Sequence, residues 1–193
     1  MARTSGSATS AARHRRGVAA IEFVLVVPVL LLLYYGTINL NQYIAVNRKI
    51  NLAAELVADL VTRHANTITA ADIDDYFIAA GLSIRPLGGA GVGISVYDFY
   101  WDTGTVKTKW SRSSNAQNKC TVPASTSAPI SSLVNANTDP TLNADVIVAV
   151  ICMPFVPPSN FPGLPAMFRG LNVEKQVILK PRQSQTLVCT GCT

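Results

Sequence analysis

Histidine is almost missing from this chain: His14 and His64 are the only two in 193 residues. They are too far apart for a paired-histidine zinc motif, and they leave few bases for a Ser-His or Cys-His nucleophile. A Gly-x-Ser-x-Gly elbow and a phosphate-cradling glycine loop are absent as well, so no hydrolase, kinase or metalloenzyme constellation emerges. The reading is of a non-enzymatic protein with no cofactor and no metal. Charge is sparse, at 14% of residues. Cysteine does not occur before position 120, and no internal repeat is evident.

The formal charge of +5 does not mark a nucleic-acid binder. Arg3, Arg13, Arg15 and Arg16 all precede Val18, and without them twelve basic residues face eleven acidic ones. No basic stripe or basic helix remains to follow a phosphate backbone, so no nucleic-acid partner is expected. The basic run reads instead as a topology signal. It stands immediately before an apolar stretch, against only Arg48 and Lys49 well beyond it, which favours a cytoplasmic N-terminus by the positive-inside bias.

That stretch, Val18 to Ile38, is about as long as the ~20 residues needed to cross a bilayer, and no Ala-x-Ala-like cleavage site follows it. It carries one carboxylate, Glu22. An ionised acid at bilayer depth costs roughly 2.5–3.5 kcal/mol on insertion scales, so it needs a partner or a function. If the chain were cut after Gly17, the new amino group on Val18 would lie four residues before Glu22, on the same face of a helix. Amine and carboxylate could then neutralise each other, within one chain or between neighbours.

Gly17, four small or apolar residues, then Glu22-Phe23, with Pro28 and Gly36 further along the same apolar span, resembles the type IV prepilin family. More narrowly, it resembles the TadE-like minor pseudopilins of the tight-adherence (Flp, type IVb/IVc) pilus. The resemblance implies that a prepilin peptidase cuts between Gly17 and Val18, and that Glu22 and Phe23 serve in subunit docking, with Glu22 pairing the N-terminal amine. It implies as partners the peptidase, other pilins and pseudopilins, the Tad assembly machinery and the membrane. Residues 1–17 would be a cytoplasmic leader, 18–38 a transmembrane helix and 39–193 an extracytoplasmic domain in the periplasm of a bacterium. Major Flp pilins are very short, so the large domain implies a minor component required for pilus assembly.

Past the span, Ile44, Ile50, Ala53, Val57, Leu60 and Val61 recur at helical spacing to about Arg63, an apolar stripe best used against the protein's own domain. Met1 to Arg16 has no apolar periodicity and is expected to be disordered until removed. Thr69-Ala70-Ala71-Asp72 is a capping-box pattern opening a short helix through Ala80, with Gly81 as its stop. Asp72, Asp74 and Asp75 suit a helix first turn better than a calcium loop, which would need a glycine and a bidentate glutamate.

Beyond Gly88–Gly91 the signals turn to strand. Val92–Trp101 is β-branched and aromatic, Asp102-Thr103-Gly104 is a turn, and Val106, Thr108 and Trp110 alternate with lysines. Tyr97, Phe99, Tyr100, Trp101 and Trp110 read as sheet core before they read as a ligand platform. Ser113–Asn143 is expected to be a long loop fastened at Cys120. Asp145–Met153 is the best buried strand. The proline-rich Pro154–Pro165, a short helix about Met167 and a last strand Val173–Leu179 precede Lys180-Pro181-Arg182. Helices followed by strands indicate an α+β fold: a long N-terminal helix, a short second helix and a small antiparallel sheet.

Four late cysteines fit an oxidising compartment. Cys120, Cys152, Cys189 and Cys192 allow three pairings that sequence does not choose among. The favoured one joins Cys120 with Cys152, tying the polar loop to a strand, and Cys189 with Cys192, closing the tail. Cys-Thr-Gly-Cys also has the spacing of a thiol oxidoreductase, but such motifs open a helix after a strand rather than end a chain. The competing functions are therefore a signal-anchored extracytoplasmic adhesion or binding protein, and a membrane-tethered thiol oxidoreductase.

Overall fold

The computed structural model describes residues 8–85, 91–102, 105–115, 120–122, 127–134, 144–155 and 172–192. Helix α1 runs unbroken from Ala8 to Thr62 with Pro28 inside it. It therefore includes Ala8–Arg16, where disorder was expected. Alanines and arginines are good helix formers, and adding residues to an existing helix avoids the cost of nucleation. Burial starts at Asn39 and then follows Val46, Ile50, Ala53, Ala54, Val57, Ala58 and Val61. The stripe thus contains Val46 where the sequence suggested Ile44, which is 40% exposed.

A three-residue strand β1 (Thr67–Thr69) leads into α2 (Ala70–Ile84), opened by the full capping box. Thr69 Oγ1 accepts from the Asp72 amide at 3.2 Å, and an Asp72 carboxylate oxygen accepts from the Thr69 amide at 3.0 Å. The Thr69 hydroxyl, at 2.7 Å, and then the Thr69 amide donate to the Asp72 carboxylate and pull it below its ordinary range. The helix does not stop at Gly81. It continues to Ile84 because Ala80 and Ile84 are both fully buried, and it ends at Arg85, whose extended backbone (ψ 148°) is what a following proline demands.

Four antiparallel strands form the sheet in the order β3-β2-β4-β5: β2 (Gly93–Asp102), β3 (Thr105–Ser113), β4 (Val146–Pro154) and β5 (Asn172–Leu179). Alternation along the strands separates two faces. Ile94, Val96, Ile147, Ala149, Ile151 and Val173 join the seam of α1 and the inner side of α2 in the main core. Tyr97, Val146, Val148 and Val150 face the other way, with Cys120, Ile130 and Val134. The last two belong to α3 (Ser127–Val134), a helix inside what reads as a loop. Ile130, Leu133 and Val134 have helical spacing, but eight residues surrounded by serine and threonine give too little periodicity to stand out. The expected short helix about Met167 lies outside the described residues.

The tail closes the domain. Arg182 pairs with Asp59 at 2.7 Å and donates its amide to the Thr62 carbonyl, pinning the segment to the end of α1. Leu187 is fully buried, and β6 (Val188–Thr190) pairs in parallel with β1.

Ala53, Ala54 and Ala58, all with no exposed surface, let α1 approach the sheet closely. Ala54→Leu should therefore lower stability by about 1–3 kcal/mol through overpacking. Leu52→Ala, at a side chain 63% exposed, should change it by no more than about 0.5 kcal/mol. Urea unfolding of both variants followed by circular dichroism checks the contrast.

Candidate functional site

Among the described residues one helix is long and apolar enough to cross a membrane, and its most apolar stretch has no residue buried against the rest of the chain. From Ile21 to Ile38 no side chain is fully buried, and Phe23, Leu25, Val29, Leu30 and Leu33 are each more than half exposed. For a soluble domain this would be a large apolar surface left in water. Ile21–Thr62 extends about 60 Å at 1.5 Å per residue, roughly twice the hydrocarbon thickness, so the outer half remains for the domain.

Gly17, Val18, Glu22 and Phe23 all lie within α1. Glu22 and Phe23 are exposed, and the unbroken backbone sets positions 18 and 22 one turn apart. A model of the family described as TadE-like protein matches residues 17–59. Residues 17–59 are thus similar to that family. The match begins at Gly17 and ends three residues before α1 does, so it takes in the apolar span and the seam that packs on the sheet. No curated relative and no solved structure matches the chain.

The cysteines form two local closures. Cys120 and Cys152 are bonded with Cα atoms 5.7 Å apart, joining the segment before α3 to β4 on the sheet face away from α1. Tyr97 reinforces that corner by donating its hydroxyl to the Cys120 carbonyl at 2.6 Å. Cys189 and Cys192 are bonded across the turn after β6, with Cα atoms 5.6 Å apart. Gly191 has φ +85°, a left-handed conformation that glycine adopts without strain. The pair closes a turn at a strand end and does not itself open a helix, as a thiol oxidoreductase motif does.

Asp72 and Asp74, considered for calcium, have structural partners. Asp72 caps α2, and Asp74 receives Arg112 in a two-pronged pair at 3.0 and 2.6 Å, tying α2 to β3. Among the aromatics, Tyr97 and Trp110 are buried, while Phe99, Tyr100 and Trp101 are half-buried.

A polar cluster that sequence reasoning passed over lies in the main core. Asp98 of β2 has no exposed surface, and neither of its oxygens has a hydrogen bond of good geometry. Asp145, 3% exposed, stands just before β4; one carboxylate oxygen accepts from Lys109 Nζ at 2.7 Å and from the Leu187 amide at 2.9 Å. Trp110 donates its indole N–H to the Leu187 carbonyl at 3.2 Å. A β-bulge organises the group. Asp98 pairs with Trp110 and Phe99 with Thr108, leaving Lys109 as the extra residue. Such a residue escapes the strict alternation of the strand, which lets Lys109 reach Asp145 beside the buried Trp110. The available signal was an acid between Tyr97 and Phe99, at a position whose neighbours two residues before face the core.

Burial pushes the Asp98 carboxyl up to about 8 from an ordinary 3.8; the nearby Asp145 charge adds to this, and Lys109 and Trp110 oppose it. The folded chain thus holds a proton that the unfolded chain releases near 3.8. Stability contributed by this group is full below that value and falls as pH rises towards 8, by up to about 1.4 kcal/mol per pH unit. Asp98→Asn keeps the shape and removes the titration. Urea midpoints of the two proteins across that window should show the native chain losing stability relative to the variant as pH rises.

Proposed function

We propose that the protein is a membrane-anchored minor pilin or pseudopilin needed to assemble a Tad (Flp-type) pilus. Residues 18–38 cross the inner membrane once with the N-terminus in the cytoplasm, and the α+β domain stands in the periplasm. The observation that carries this reading is the TadE-like match beginning at Gly17, on a helix whose apolar first half is exposed and contains one acid. The arginines before Gly17 support the orientation, and the two disulfides fit an oxidising compartment. The role is structural: the chain is the substrate of a prepilin peptidase and then a partner of other pilins and of the assembly machinery. Whether it stays in the membrane or enters the fibre, the same first helix does the docking.

Processing tests the reading. A peptidase pocket that accepts glycine before the cut should reject a branched residue, so Gly17→Val should leave the longer, uncut form. Amino-terminal sequencing of the protein from piliated cells should find Val18 first. A protein that still carries its leader in such cells would sink the proposal.

Glu22→Gln separates anchoring from docking. The amide keeps the size and removes an expensive charge, so membrane insertion and cutting after Gly17 should persist. If the carboxylate pairs with the Val18 amine in a buried site, stranding that amine costs roughly 3–5 kcal/mol. Immunoblots should then show the processed form while surface pili are lost. Normal piliation would mean that the acid is not the docking group.

A further inference from the structure

We propose that Lys109 and Asp145 are joined by an isopeptide bond that the folded chain forms by itself, with Asp98 as the proton-transferring acid. The inference stands on the polar cluster alone and does not depend on the membrane reading.

The reacting groups are already in place. Lys109 Nζ lies 2.7 Å from an Asp145 carboxylate oxygen, one bond from the carbon it would attack. Asp145 is held in orientation by the Leu187 amide, and its side chain is 4% exposed. Lys109 is brought in by the bulge opposite Asp98, with its side chain 30% exposed. Holding both partners in this geometry supplies the proximity that the same reaction lacks between free groups in water.

Asp98 is the observation that an ion pair leaves unexplained. A Lys–Asp bridge needs one acid, yet a second, fully buried carboxyl stands beside it with neither oxygen in a hydrogen bond of good geometry. A buried polar group in that condition calls for an explanation. Burial and the Asp145 charge keep it protonated near neutral pH, the state in which it can give a proton to a leaving oxygen.

The step balances without a co-reactant. A proton passes from the Lys109 ammonium to the Asp145 carboxylate, giving an amine and a carboxylic acid with no change in total charge. The amine nitrogen attacks the Asp145 carboxyl carbon and a C–N bond forms. The C–O bond then breaks as the hydroxyl leaves with a proton from Asp98, and Asp98 recovers a proton from the nitrogen. The products are one amide, one water and an unchanged Asp98. In the strand order β3-β2-β4, the new bond would staple β3 to the start of β4 across the strand between them.

Intact mass of the full-length chain, purified in detergent with both disulfides reduced, gives the answer. The expected mass, counted from whatever N-terminus sequencing finds, is lower than the sequence requires by one water. Trypsin should no longer cut after Lys109, whose peptide should be recovered attached to the one containing Asp145. Lys109→Arg and Asp98→Ala should each restore the full mass, and the alanine variant should keep the native circular dichroism. An unmodified mass with normal cutting after Lys109 in the folded native chain overturns the bond. A bond that survives in Asp98→Ala overturns the role of Asp98.

Discussion

Backbone amides and carbonyls cannot be left bare in hydrocarbon, and on the membrane reading this requirement holds α1 as one continuous helix where Pro28 would otherwise invite a break. The rest of the molecule is arranged around the consequence. A helix that is apolar almost all round through Leu33 must become one-sided further along, because only one side meets the sheet. The change begins at Asn39, which is buried and donates its side-chain amide to the Tyr35 carbonyl at 3.0 Å. Beyond it, the buried positions hold small or branched residues, whereas Arg48, Leu52, Glu55 and Leu56 lie on the outer side. On that reading the same helix dissolves in two apolar media in succession, lipid and then its own domain.

Packing on a helix that is fixed at its other end restricts how the domain can be built. The sheet lays β4 and β5 against α1, while β2 and β3 reach past it and are covered by α2. That leaves the far edge of the core near the start of β4, where the tail crosses with Leu187 as its plug. The Trp110 and Asp145 side chains satisfy the Leu187 carbonyl and amide, and the Asp145 amide donates to the Gln185 carbonyl, so the tail is held there without a paired strand. The Lys109–Asp145 pair thus orders the tail as well as β3, and Asp98 is the one buried group there that takes no part in this ordering.

Legibility in the sequence followed the range of the interactions. The capping box at Thr69, the strands around residues 93–102, 105–113 and 146–154, and the C-terminal end of α1 are written in neighbouring residues, and local chemistry decides them. The extension of α2 past Gly81 was not visible, because a glycine with open space around it is tolerated once Ile84 has a core to enter. Nor was β1 with β6: three-residue strands separated by the whole domain carry no pattern of their own. Glu22 stood out because it breaks an apolar run and Gly17 because it stands at the start of that run, whereas Lys109 looked like one more alternating lysine until the bulge moved it.

The two acids in apolar surroundings, Glu22 and Asp98, pose one physical problem with different solutions. Glu22 lies on an exposed helix face, and on the proposed reading its partner is the amine that a cut after Gly17 would create. Asp98 is enclosed by strands that already fix their neighbours, and protonation relieves the charge that burial and Asp145 oppose. An acid that needs company suits a surface that assembles; an acid that stays neutral suits a core that must close. Residues 21–38 stay largely exposed along α1, whereas the domain beyond them spends its polar groups on itself.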